Sequence, residues 1–168
     1  MFNIPGMVLI IEGIHKIPNE QKVVTSGQIR DGSKAWQKNL EGQNFDVEIM
    51  KGEYNTPTWS EITAKIADYT KRKLLHAIVF VGHSGMASMI VRSDDGAKAR
   101  DLEVDDIAKK LSYRLGFASI QSCSSWYDKE WYRLVSDKGG AYGSKKLCEP
   151  TEIEALELIE RPKSEGGK

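Results

Sequence analysis

The sequence predicts an α/β protein with a mainly parallel sheet and helices on both of its faces. Three observations support this. Four short β-prone runs, Met7–Ile11, Phe45–Met50, Leu75–Val81 and Phe117–Ile120, are separated by stretches long enough for helices, two of them with clear helical periodicity. Met7–Ile11 shows no polar alternation, the pattern of a strand buried on both faces. Two of the runs end abruptly in a chemically active residue: Val79-Phe80-Val81-Gly82-His83-Ser84-Gly85 and Ala118-Ser119-Ile120-Gln121-Ser122-Cys123-Ser124-Ser125. In an open α/β sheet, residues just past the carboxyl ends of neighbouring strands converge on one crevice.

The elements follow in order. After the first strand, Gly13 to Ser33 is rich in loop-forming residues and reads as a long loop, a length that often accompanies function. Asp31 or Ser33 is a candidate cap for a helix reaching about Leu40. Phe45–Met50 alternates and is the second strand. Pro57 marks a boundary, and Thr58 and Glu61 have capping-box spacing for a helix to about Lys73, with Ile62, Ile66 and Tyr69 on one stripe. Leu75–Val81 is the third strand. Met86–Val91 and the turn Asp94-Asp95-Gly96 suggest a small hairpin. Asp101–Leu115 reads as an amphipathic helix stopped by Gly116. Phe117–Ile120 is the fourth strand. Trp126–Val135 is then expected as a short helix, Ala141–Leu147 as a fifth strand and Pro150–Leu158 as a last helix. Residues 1–160 are expected to form a single domain, and 161–168 a solvated tail.

The 168 residues suit one full-sized core. Lys plus Arg and Asp plus Glu both number 24, so the net charge is zero, which argues against binding nucleic acid by bulk charge. No segment has the length and apolarity of a membrane span. No N-terminal run has the length of a signal-peptide core. The two cysteines, Cys123 and Cys148, leave one disulfide as an open alternative but do not make a disulfide framework, and the expected compartment is reducing and cytoplasmic. Cys148 is expected to be a neutral or buried thiol. No Walker or dinucleotide loop is present, and no cofactor is expected.

Gly82-His83-Ser84 resembles the start of a nucleophile elbow, but Met86 stands where the second glycine belongs. The order is also wrong: in that fold the triad histidine follows the serine, whereas His15, His76 and His83 all precede Ser84. A Cys–His pair passes the same test. A thiolate needs an imidazole to exchange a proton with the reacting groups and backbone donors for the oxyanion. Small residues around Cys123, namely Ser122, Ser124 and Ser125, leave room for a peptide backbone. Asp94-Asp95-Gly96 fits ordinary turn chemistry better than a calcium loop, so no metal is expected. Trp126, Tyr127, Trp131 and Tyr132 fit the packing of a short amphipathic helix, with the wall of a substrate groove or a partner surface as the alternatives.

The arrangement resembles the caspase-like cysteine peptidases, whose His-Gly and Cys follow successive strands. Their caspase branch carries Q-A-C, then Arg, Gln or Gly, then Gly, with the histidine about 50 residues upstream. Gln121-Ser122-Cys123-Ser124-Ser125 keeps the glutamine and the cysteine, and His83 lies 40 residues before Cys123. The resemblance extends from Met7 to Trp126 through the opening strand, the loop with Gly27 and Asp31, Asn39-Leu40, the Asp95-Gly96 hairpin and the helix before the cysteine strand. It implies a three-layer α/β/α sandwich with a mainly parallel sheet, and a cysteine endopeptidase acting on a peptide or protein substrate. In that reading Cys123 attacks, His83 protonates the leaving amine and then activates water, and the backbone N–H groups of Ser84 and Cys123 hold the oxyanion. Gln121, Gly85 and Ser122 belong to the substrate-binding walls. Lys16, Lys22 and Arg30 would suit an acidic side chain, Asp128 and Glu130 a basic one.

Ser84 stands in place of the family's glycine after the histidine, Ser122 in place of alanine and Ser125 in place of the later glycine. Only 45 residues follow Cys123, which suggests a compact member without a sixth strand, hence a monomer, with an activating partner as an open alternative. Two other classes compete: an inactive caspase-like module that binds a protein partner, and a flavodoxin-like small-molecule binder in which the cysteine and histidine are incidental.

Overall fold

Strand β1, Met7–Glu12, is buried from Val8 to Ile11 because it lies inside a sheet, parallel to β2 (Asp46–Ile49) on one side and to β3 (Leu75–Val81) on the other. Successive side chains of a strand point to opposite faces, so β1 feeds two cores. Leu9 and Ile11 pack with Ile78, Phe80, Ile62 and Ile66, whereas Val8 and Ile10 pack with Val79, Val81, Ile29 and Leu40. The computed structural model describes residues 6–15, 26–53, 55–85, 87–96, 98–146 and 157–162.

Helix α1, Ser26–Gly42, covers one face of the sheet. Helices α2, Trp59–Lys71, and α3, Val104–Ala108, cover the other. Burying Ile62 and Ile66 of α2 completely contributes about 1.5–3 kcal/mol each. The expected three layers are therefore present. The first small strand, β4 (Ser84–Gly85), pairs antiparallel with β5 (Ser88–Arg92), which pairs with β6 (Ala99–Glu103). The main sheet continues with β7 (Leu115–Gln121), β8 (Val135–Gly143) and β9 (Ile159–Glu160), in the order β2-β1-β3-β7-β8-β9. Strands β7 and β8 are parallel to their neighbours, and β9 runs antiparallel.

Several boundaries differ from those expected. Helix α1 begins at Ser26, inside the segment expected as loop, because Ile29, Ser33 and Leu40 form a buried face despite the intervening glycines. Ser33 is mid-helix, its hydroxyl donating back to the Ile29 carbonyl at 3.0 Å. The helix expected over Asp101–Leu115 shrinks to five residues. Its beginning is β6, held by pairing with β5, and Leu115 opens β7. Gly116 is a strand residue: a Cβ there would lie 2.2 Å from the His76 ring. The expected helix Trp126–Val135 consists of two 3-10 turns, Ser125–Tyr127 and Lys129–Leu134, and β8 begins earlier than Ala141. A sixth main strand exists, the two-residue β9. Most of the expected last helix lies outside the described residues. Arg161, at the start of the expected tail, is docked: its N–H donates to Ala141 and its guanidinium to the Trp126 carbonyl at 2.7 Å.

The capping box of α2 forms as expected. Thr58 accepts from the Glu61 N–H at 3.2 Å, and Glu61 accepts from the Thr58 N–H at 2.9 Å. Asp94 is occupied structurally, accepting from the Ser60 N–H at 2.9 Å and the Ser60 hydroxyl at 2.6 Å. These bonds hold its carboxyl below the usual range and tie the hairpin to α2. Among the described residues no cluster suited to a metal ion is found.

Candidate active site

The register of β3 and β7 brings the two motifs together. Val81 pairs with Gln121, and Gly82 N–H donates to the Gln121 carbonyl at 3.2 Å. His83 and Cys123 each stand two residues beyond that pair, so they leave the sheet from adjacent strand ends. The chain can turn there because two glycines meet. A Cβ on Gly82 would lie 3.0 Å from Gly13 Cα and 2.9 Å from the Phe80 ring. A Cβ on Gly13 would lie 2.8 Å from the Ile90 carbonyl oxygen.

Beyond the turn, His83 is anchored by its carbonyl, which accepts from Ile90 N–H at 2.9 Å. That bond flanks the Ser84–Met89 pair, which makes it a non-hydrogen-bonded pair of the antiparallel ladder. The Ser84 N–H therefore points away from β5. The Ser84 hydroxyl lies 3.5 Å from the Cys123 carbonyl, at the outer limit for a hydrogen bond, across the gap between the strand ends.

The cysteine loop is braced by a residue that the sequence marks only as small and as a departure from the family signature. Ser125 is buried, its hydroxyl donating to the Ile120 carbonyl at 2.7 Å, with the Ser122 carbonyl at 3.0 Å as the alternative acceptor. The same oxygen accepts the Ser144 N–H at 3.0 Å. Ser124 adopts a left-handed conformation with φ 55°, and its N–H donates to Lys146 at 2.9 Å. The loop is thus pinned both to its own strand and to the end of β8. Only a hydroxyl at position 125 can donate and accept at once.

Cys123, Ser124 and Ser125 line a cavity of about 710 Å3 with Ser84, Gly85, Ala87, Tyr127, Asp128, Lys129, Glu130 and Trp131. Its volume suits a side chain and adjoining backbone. Asp128 brings a carboxylate into the wall. One oxygen accepts from the Glu130 N–H at 3.0 Å, and the other is buried without a hydrogen-bond partner. Burial pushes the Asp128 carboxyl up, while the N–H groups of Glu130 and Ala87 work against that. Tyr127 is 60% exposed, whereas Trp131 is core, and Trp126 lies under the Lys145 ammonium, 4.1 Å from its ring centre.

Gln121 and Ser122 lie elsewhere. Gln121 is buried against α1, its side-chain amide oxygen accepting from the Trp36 indole at 2.6 Å. Ser122 is fully buried, with a hydroxyl that finds no partner. Neither lines the cavity. The sulfur of Cys123 is disulfide-bonded. The only other cysteine of the chain, Cys148, lies outside the described residues.

No family model and no curated protein matches the chain. Solved structures do. A secreted C11 cysteine protease from Bacteroides thetaiotaomicron, in complex with an irreversible peptide inhibitor, superposes with a TM-score of 0.52 at 10% identity, covering 89% of this chain and 51% of that one. An inactive zymogen C11 protease from Parabacteroides distasonis gives 0.52 at 13% identity, covering 90% and 52%. C11 proteases belong to the caspase-like clan, and the chain shares their fold. It spans about half the length of these neighbours.

Proposed function

We propose that the chain is a cysteine peptidase of caspase-like type. The observation that supports this best is the β3–β7 register, in which the strands that lead into His83 and Cys123 are direct neighbours and end at the same level. The fold shared with C11 proteases, one of them bound to a peptide inhibitor, supports the same class of reaction.

Before the reaction, an external dithiol reduces the disulfide at Cys123 by thiol–disulfide exchange, being itself oxidised to a disulfide, since only a free thiolate attacks a carbonyl. The thiolate adds to the scissile carbonyl and the oxyanion is held by the N–H groups of Ser84 and Cys123. The C–N bond breaks as the His83 imidazolium gives its proton to the leaving amine, leaving a thioester. Neutral His83 then takes a proton from water, which adds to the thioester, and the thiolate leaves. Asp128 and Glu130 in the cavity wall, set against Lys129 between them, leave a net acidic lining that favours a basic side chain beside the scissile bond.

The test is intact-mass analysis with peptidyl electrophiles carrying Lys, Arg, Asp or Leu next to the warhead, with and without prior reduction. Adducts on Cys123 are expected only after reduction, with the Lys and Arg probes foremost, and none in Cys123→Ala or His83→Ala. Labelling that ignores the peptide and survives His83→Ala would leave a merely accessible thiol, and the inactive interaction module would become the better reading.

A further inference from the structure

A second crevice opens on the same edge of the sheet, at the carboxyl ends of β1 and β2. It has a volume of about 520 Å3 and is lined by Glu12, Arg30, Lys34, Lys51, Asn55 and neighbouring residues. Arg30 and Lys34 stand one turn apart on α1, and Lys51 follows β2 by two residues.

The charges in it are unbalanced. Glu12 is the one acid among the described residues of the lining. It is buried, and its carboxylate faces the His15 imidazole at 3.5 Å. His15 in turn lies 3.4 Å from the Asn55 amide nitrogen, and the Asn55 carbonyl oxygen accepts from the Arg30 guanidinium. This chain of polar contacts fixes Arg30 over the crevice. Lys34 and Lys51 pair with no carboxylate among the described residues. Among the described residues, three cations therefore surround a space whose one acid already has a neighbour.

We propose that this crevice is a subsite for an acidic side chain of the peptide whose cleavage is assigned to Cys123; the inference rests on that reading. Adjacent strands are about 4.8 Å apart. With β3 lying between β1 and β7, the crevice is roughly 10–12 Å from the Cys123 strand end. An extended peptide covers that span in about three or four residues. The preferred substrate thus carries an Asp or Glu three or four positions from the residue in the cysteine cavity. The contacts are exposed ion pairs, so their contribution is modest and screened by salt.

The experiment compares peptides with Lys at the scissile position and a single Glu walked through five positions on either side, each beside its Gln twin. In the reduced wild type, the Glu peptide is expected to be cleaved about fivefold more efficiently at one position. The gain should appear in KM, collapse to a ratio of one in K34Q/K51Q, and fade at high salt. A ratio of one at every position in a wild type that cleaves the series overturns the proposal. If the wild type cleaves nothing, the peptidase reading fails on its own. The crevice is then judged by fluorescence anisotropy of the same peptides, labelled, on the full chain carrying Cys123→Ala. Tighter binding of a Glu peptide that K34Q/K51Q abolishes upholds the subsite, and equal binding of Glu and Gln peptides rejects it.

Discussion

Single side chains decide whether the cysteine loop keeps its shape. Ser125 does so through one oxygen that serves Ile120 and Ser144 at once. Ser125→Ala leaves the buried Ser144 N–H without this acceptor, a loss of about 1–3 kcal/mol. Thermal melts should show the drop, and the rate of Cys123 alkylation after reduction should rise as the loop loosens. Ser125→Gly would behave alike, although glycine is the residue the caspase signature carries there. An unaltered melting point in both variants would remove Ser125 from its bracing role. This function was not legible in the sequence. The hydroxyl joins groups 19 residues apart, and no local pattern announces such a bond. The positions of His83 and Cys123 were legible, because each ends an apolar run that a buried strand demands. The surroundings of Gln121 were not, since its indole partner is 85 positions away.

At the level of elements, strands β3 and β7 are locked at their far end as well. His76 stacks on Phe45 with ring centres 5.4 Å apart and meets the Phe117 edge at 5.7 Å, in the space Gly116 leaves open. Burial holds the His76 imidazole below its ordinary value of 6.5. The unfolded chain therefore takes up this proton more readily than the folded one. The pairing of β3 with β7 is fully stable above about pH 6.5 and weakens as the pH falls below it, the loss levelling off below the folded value. Urea midpoints at pH 7.5 and 5.5 should differ more in the wild type than in His76→Phe; equal differences would count against this origin. The same scale shows where sequence patterns mislead. Val104, Ile107, Leu111 and Leu115 keep a helical period, yet Leu115 belongs to a strand and only the first two sit on α3. In β6 only Leu102 is buried, so its pairing with β5 left no alternation to read.

Across the whole molecule, charges of both signs balance, with 24 of each and an isoelectric point near 6.8. Colloidal repulsion is therefore weakest near neutrality. Light scattering at low salt should show more self-association at pH 6.8 than at pH 8.5; the reverse order would point to a specific interface instead. The zero net charge also hides a division along the sheet edge, where cations gather beside β1 and β2 while the acids Asp128 and Glu130 outnumber Lys129 beyond β7. Between these two regions, at the ends of β1 and β3, lies the close backbone approach of Gly13 and Gly82. A contact made of main chain offers mutation nothing to adjust. Selection for altered peptide preference, natural or in the laboratory, must work on the flanking walls, and randomised libraries gain by sparing both glycines and varying positions 30, 34, 128 and 130.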